Sequence, residues 1–149
     1  ALRMYYDTYK PILLKVSPDL AHQQLDEIID YCLRSGIDGI VAGNTTRSRE
    51  GLTSISKEKI EAIGNGGMSG APVHKKNLDL VKYVHTRSEG KLPIIGVGGI
   101  MSPEQAKAML DAGASLVEIY SGFIYEGPAL IKNIIKYLEN CLKPSASKK

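Results

Sequence analysis

Two turns of the chain have the composition of a phosphate site. One contains Gly98 and Gly99 directly after the apolar run at 93–97, and the other follows the apolar run at 116–119. Glycine lets backbone N–H groups approach a ligand closely, and N–H groups at helix N-termini bind phosphate without a cationic side chain. Close strand–helix packing would use glycine as well, but the repetition in adjacent units favours phosphate binding. The candidate residues are Gly98, Gly99, Tyr120 and Ser121.

Polar side chains also lie at the ends of two earlier apolar runs. Lys15 lies near the end of the run at 11–16, and Asn44 and Thr45 follow the run at 37–42. A lysine is costly to bury without a partner, and an amide offers both a hydrogen-bond donor and an acceptor. At the C-terminal ends of barrel strands such residues typically perform chemistry. Taken alone, they also fit a lysine that extends to solvent and an ordinary Asx or Ser/Thr turn.

A long polar segment at 47–70 ends in glycine and small residues. A loop of this length in a compact domain is usually functional. Ser69 and Gly70 close it just before a predicted helix, where their N–H groups could face a ligand; a flexible glycine loop is the alternative. Within the segment, residues 56–63 are predicted to form a short helix.

A framework of alternating strands and helices is predicted to bring these residues together. Short apolar runs bounded by proline and glycine predict buried parallel strands, and amphipathic stretches between them predict helices. Four such βα units are half of a (β/α)8 TIM barrel, which takes roughly 250 residues. The α/β chain is therefore predicted to be either the C-terminal half of such a barrel or a small open sheet. Strands are predicted at 11–16, 37–42, 93–97 and 116–119, and helices at 18–35, 74–88, 103–112 and 128–142.

Local signals predict the helix starts and buried faces. Ser17 and Ser102 are predicted N-caps, each followed by proline at the first helical position, and Gln105 completes a capping box with Ser102. On the helix at 74–88, Leu78, Val81, Val84 and His85 share one face, and the three histidines, His22, His74 and His85, are predicted to be surface or hydrogen-bonded helix residues. The predicted buried stripe of the helix at 128–142 consists of Leu130, Ile131, Ile134, Ile135 and Leu138.

The composition excludes several classes of protein. The 149 residues are 43% hydrophobic and 23% charged, and the net charge is only +3, which argues against disorder and against a nucleic-acid surface. Cys32 and Cys141 lie far apart and predict reduced thiols in a cytosolic protein rather than a disulfide framework. No metal site is predicted, no apolar run reaches membrane-spanning length, and no signal peptide is visible. The predicted domain spans 11–142, preceded at 1–10 by the end of a helix or a loop and followed at 143–149 by a basic tail.

Five sequence blocks carry a resemblance: 14–20 (LKVSPDL), 44–46 (NTT), 66–70 (GGMSG), 94–100 (IIGVGGI) and 113–122 (GASLVEIYSG). In this order and spacing they resemble the dihydroorotate dehydrogenases. The resemblance covers about residues 11–138, and the Ser-Pro-Asp-Leu form after Lys15 resembles the quinone-linked class 2 enzymes most. It implies the C-terminal half of a (β/α)8 barrel, with the catalytic base, a serine in class 2, outside this chain.

The resemblance also implies roles for the candidate residues. Flavin mononucleotide (FMN) is the implied cofactor, with Lys15 against its ring, where the charge would stabilise the reduced flavin. Asn44 and Thr45 would contact dihydroorotate, whose carboxylate and cyclic imide suit an amide. Gly43 departs from the family, which usually has Thr or Ser there, so only a backbone contact to the cofactor is expected. The implied cofactor-binding residues are Lys15, Gly43, Ser69, Gly70, Gly98, Gly99, Tyr120 and Ser121.

The implied activity is oxidation of dihydroorotate to orotate in pyrimidine (UMP) biosynthesis, with a quinone as electron acceptor. The implied location is peripheral, at the cytoplasmic side of the cell membrane, through a segment outside this chain, which is itself expected to be soluble. The implied partner is the N-terminal half of the barrel, without which this half is expected to be inactive. The alternatives are another phosphate-binding barrel enzyme and a non-catalytic half-barrel.

Overall fold

The computed structural model describes residues 9–52 and 55–143. The predicted helix end or loop at 1–10 concerns mostly residues 1–8, which lie outside the described residues. The same holds for the predicted basic tail beyond Lys143.

Four parallel strands form a single sheet in the order β1-β2-β3-β4. Each strand pairs with the next along the chain, as in consecutive βα units of a barrel. The architecture is half of a (β/α)8 barrel, which confirms the predicted fold class. The strands are β1 (Leu13–Val16), β2 (Gly39–Ala42), β3 (Ile94–Val97) and β4 (Leu116–Glu118).

Six α-helices accompany the sheet in the described part of the chain. The short helix α2 within the long loop is confirmed, whereas α5 was not predicted and directly precedes α6. A 3-10 turn at Ala71–Val73 leads into α3. The helices are α1 (His22–Ser35), α2 (Lys57–Ile63), α3 (His74–Arg87), α4 (Pro103–Asp111), α5 (Ser121–Glu126) and α6 (Pro128–Leu142).

The predicted start of α1 at Ser17 is wrong by four residues. The Ser17 hydroxyl accepts a hydrogen bond from the Asp19 N–H at 3.2 Å, which makes a local turn instead of a helix cap. The helix begins after Ala21, whose N–H donates to the Gln24 side chain at 3.0 Å. Residues 18 and 19 instead form a turn, in which the Leu20 N–H donates to the Ser17 carbonyl at 3.4 Å.

The core lies between the sheet and the helices that cover one of its faces. On α3 the buried residues include Asn77 and Leu80, and His85 is exposed, which agrees with the surface alternative predicted for it. The predicted buried stripe of α6 needs correction. On α6, Ile131 and Ile135 are exposed because the helix packs through the adjacent residues Leu130 and Ile134.

The opposite, concave face of the sheet carries side chains that alternate with the core residues. Val16 packs in the core and Leu14 against it, so Leu13 and Lys15 point to the other side of β1. In a closed barrel this face lines the interior. Within residues 9–52 and 55–143, the structure has neither a helix suited to crossing a bilayer nor a His/Cys/Asp/Glu cluster suited to a metal ion.

Candidate functional site

A cavity of about 520 Å³ opens at the carboxyl ends of the four strands. Its size is within the range of small-molecule sites. All of the predicted site residues except Gly43 line it, together with four residues that were not predicted as site residues. The lining residues are Lys15, Asn44, Thr45, Ser69, Gly70, Val73, Val97, Gly98, Gly99, Glu118, Ile119, Tyr120 and Ser121.

Lys15 lies on the concave face at one side of this cavity. The strand register places it level with Val41, Ile95 and Leu116, so its neighbours along the sheet are apolar. Its side chain is exposed, and among the described residues its ammonium group has neither a hydrogen-bond nor an ion-pair partner. A positive charge beside an apolar floor is therefore available to an anionic ligand.

The segment after β2 is anchored by a short antiparallel bridge. The N–H of Thr46 donates to the carbonyl of Met68 at 3.1 Å, and the N–H of Met68 donates back to Thr46 at 2.8 Å. This bridge closes the long loop at 47–67 and brings its end next to Thr45. Ser69 and Gly70 consequently lie at the same cavity as the substrate-site candidates, although they follow in sequence by more than twenty residues.

The carboxylate of Asp19, which follows β1, bonds the start of the long loop and α3 at the edge of the site. Its carboxylate accepts hydrogen bonds from the Thr46 hydroxyl at 2.6 Å, the Lys76 ammonium at 2.6 Å and the Arg47 N–H at 2.7 Å. Burial alone would raise the pKa of Asp19, but the hydrogen bonds from Lys76, Thr46 and Arg47 outweigh it and lower the pKa from 3.8 to about 2. The carboxylate therefore stays ionised and holds the start of the loop.

Replacing Asp19 with asparagine should lower the free energy of unfolding near pH 5 and should lower it much less in acid. Because the folded pKa lies below the ordinary value, the ionised group stabilises the fold above about pH 4, and this contribution disappears as the pH falls toward about 2. The Asp19 side chain is 26% exposed, so solvent screening limits the effect to about 1 kcal/mol. Urea unfolding should show this loss near pH 5 and a much smaller one near pH 2.5.

The control for that measurement is Asp79→Asn, which removes an exposed pair between Asp79 and Lys75 on one face of α3. This variant should change the free energy of unfolding little at either pH. An equal loss at both pH values for Asp19→Asn would contradict the role assigned to its charge.

Both glycine turns line the cavity. The Ser121 hydroxyl donates to the Ser69 hydroxyl at 3.3 Å, which joins the end of the long loop to the start of α5. In the ranges that the structure describes, the N–H groups of Gly99 and Ser121 have no acceptor. Unused N–H groups beside hydroxyls suit a bound phosphate. Tyr120 is 76% exposed at the mouth of the cavity.

Gly99 also has a packing role. Its φ is +69°, and an added Cβ would lie 2.6 Å from the His74 backbone nitrogen and 2.7 Å from the Gly70 carbonyl oxygen. Close packing, one of the two alternatives for this glycine, is therefore present, and phosphate binding at Gly99 stays a prediction. The Nδ1 atom of His74 is buried without a hydrogen-bond partner among the described residues, and burial lowers the pKa of His74, although an interaction with the Gly98 backbone opposes this shift.

The residues that support the backbone of the site were not predicted from the sequence. Asn77 is fully buried and hydrogen-bonds both backbone groups of Asn44, while Gly43 is buried next to it and does not line the cavity. The ion pair between Asp19 and Lys76 was likewise not predicted. A polar residue within an apolar helical stripe is the signal that could have found Asn77.

Comparison with known proteins finds a family model and curated relatives that match this sequence. The family model for dihydroorotate dehydrogenase matches residues 4–142. A dihydroorotate dehydrogenase (quinone) of Christiangramia forsetii is 50% identical over 125 residues, which are 84% of this chain and 35% of the relative. The same enzyme of Salinispora arenicola is 45% identical over 123 residues, which are 83% of this chain and 36% of the relative.

A solved structure agrees with the sequence relatives. The ligand-free DHODH of Eimeria tenella superposes with a TM-score of 0.81 at 32% identity, over 90% of this chain and 36% of that one. The chain therefore spans little more than a third of the length of the proteins it matches.

Proposed function

Since this chain belongs to the dihydroorotate dehydrogenase family, we propose that it supplies the flavin-binding half of an enzyme that oxidises dihydroorotate to orotate in pyrimidine biosynthesis. In this proposal the chain is the C-terminal half of the barrel. The observation that carries the proposal is that Lys15, Asn44, Thr45 and both glycine turns meet at a single cavity. A phosphate-binding barrel enzyme of another kind would use the glycine turns but has no need of the other three residues.

Dihydroorotate dehydrogenases are flavin-dependent, and we propose FMN as the flavin here. The unused N–H groups of Gly99 and Ser121, with the hydroxyls of Ser69 and Ser121, fit the phosphate of a mononucleotide. Gly70, Gly98 and Tyr120 would complete this part of the site, and Gly43 would contribute at most its backbone. When bound, the flavin supplies the two-electron oxidant that the reaction requires.

Lys15 would act through its charge. Its side chain is exposed here and has apolar neighbours along the sheet, so a bound flavin that excludes water from this face would make the electrostatic interaction stronger than in bulk water. Oxidation of the substrate adds negative charge to the cofactor side of the cavity, and a fixed cation there stabilises that charge more in the transition state than in the ground state. Lys15 therefore tunes the reaction without transferring a proton.

Asn44 and Thr45 would orient the substrate. Both are exposed at the cavity, and both follow a strand whose backbone is fixed by pairing on either side. An amide can donate to a carboxylate and accept from an imide N–H, both of which dihydroorotate carries. The base that removes the substrate proton is proposed to be a serine outside this chain, so that the reaction requires the rest of the barrel.

A quinone is the proposed final electron acceptor, as the names of the curated relatives suggest. A quinone acceptor would be dissolved in the membrane, so we propose the cytoplasmic surface of the cell membrane as the location. Contact with the membrane would occur through a part of the protein other than this chain.

The visible spectrum of the purified full-length protein tests the proposal. We expect a flavin absorption that bleaches when dihydroorotate is added without oxygen and returns when a quinone is added. A protein that remains colourless, and that takes up no FMN when it is supplied, would refute the proposal. A flavin that binds but is not reduced by dihydroorotate would favour another flavin-dependent barrel enzyme.

A further inference from the structure

Asn77 is a polar residue in the interior of the fold. It lies in the first turn of α3, and its exposed fraction is 0%. Its side-chain Oδ1 accepts from the Asn44 N–H at 3.2 Å, and its Nδ2 donates to the Asn44 carbonyl at 3.0 Å. The carboxamide thus pairs with both backbone groups of Asn44, as a peptide of a neighbouring strand would. A buried amide satisfied in this way holds its partner firmly.

Two glycines make room for this carboxamide. A Cβ added at Gly43 would overlap Oδ1 of Asn77, and a Cβ added at Gly98 would overlap Nδ2. The φ of Gly43 is not in the left-handed region, so space, and not backbone conformation, requires glycine at this position. The space beside Gly43 is therefore filled by a side chain from α3.

We propose that Asn77 is a positioning residue for substrate binding and that Gly43 and Asn77 act as a coupled pair. Asn77 fixes the peptide of Asn44 and thereby the direction of the Asn44 side chain at the cavity. The role in substrate binding rests on the proposed function, whereas the hold on the Asn44 backbone does not.

The first test is Asn77→Ala in the full-length protein, with amide hydrogen exchange as a readout that needs no ligand. We expect the Asn44 N–H to lose protection while the N–H groups of β2 and β3 keep theirs. Orotate affinity should fall about 10- to 100-fold because a misplaced contact group costs that much, and FMN affinity should change less than about threefold.

The control is Ser88→Ala, which removes a buried hydroxyl at the other end of α3, where it donates to the His85 carbonyl. It should lower thermal stability without changing orotate affinity. This separates positioning from a general loss of stability in the helix. Equal orotate affinity in wild type and Asn77→Ala, or full protection of Asn44 in that variant, would overturn the proposal.

A double-mutant cycle tests the coupling. Gly43→Ala should displace the Asn77 carboxamide and lower orotate affinity at least as much as Asn77→Ala, because the added Cβ also lies 2.8 Å from the Val97 carbonyl oxygen. The double variant should be no worse than Gly43→Ala, because the group that the methyl displaces is already absent and the Val97 contact is the same in both proteins. Additive losses would overturn the coupling.

A wild-type protein that binds no orotate would instead refute the proposed function. In that case, hydrogen exchange of Asn44 still decides whether Asn77 holds its backbone. The failure of either proposal is thus distinguishable from the failure of the other.

Discussion

Replacing Lys15 with methionine should slow reduction of the bound flavin by dihydroorotate about 100- to 1000-fold, the usual cost of removing one preorganised electrostatic group. Methionine keeps an apolar stem against the sheet and removes only the charge. Because the ammonium group has no partner among the described residues, the fold should lose less than about 0.5 kcal/mol. Stopped-flow absorbance without oxygen measures the rate, and thermal unfolding measures the stability.

Two further lysine variants sharpen this experiment. Lys82→Met changes an exposed lysine on α3 that does not line the cavity, and it should leave the reduction rate unchanged. Lys15→Arg keeps the charge and should retain more of the rate than Lys15→Met. If Lys15→Met reduces its flavin as fast as wild type does, the charge has no part in the reaction.

Replacing Gly99 with alanine should cause the largest loss of cofactor. Alanine at a φ of +69° is strained, and its Cβ would lie within 2.7 Å of backbone atoms of both His74 and Gly70. Backbone atoms cannot move aside as a flexible side chain can, so the turn must shift at the proposed phosphate site. A shift of this kind should weaken FMN binding roughly 100-fold. Flavin content after dialysis and fluorescence titration with FMN measure the effect.

Gly64→Ala is a matched control. Gly64 has a similar φ of +75°, but an added Cβ would meet no atom within 4 Å. This variant carries the backbone strain without the collision, and it should bind FMN normally. A Gly99→Ala protein that purifies with a full complement of flavin would contradict the assignment of this turn to the cofactor.

Elements whose boundaries depend on adjacent residues were predictable from the sequence. Ser56 caps α2 by accepting from the Lys59 N–H, and Ser102 caps α4 by accepting from the Gln105 N–H, each at 3.4 Å. The strands follow from apolar runs of the same kind. Once consecutive strands pair in parallel, their carboxyl ends must meet, and this is why the separated candidate residues could be predicted to share a site.

The rest depends on contacts between distant segments. Asp19 bonds Thr46 and Lys76 instead of starting a helix, and no local pattern around Asp19 reports those partners. Asn77 is buried because Gly43 and Gly98 leave space for it, which only the packed structure reveals.

The bridge between Thr46 and Met68 has a consequence for how the protein can change over evolutionary time. Its two hydrogen bonds fix the ends of the loop at 47–67 against each other, so the length of chain between them does not alter where Ser69 and Gly70 lie. Doubling the length of such a loop costs only about 0.6 kcal/mol in closure entropy. Insertions and deletions can therefore accumulate here, at the rim of the cavity, while the residues proposed to bind cofactor keep their positions.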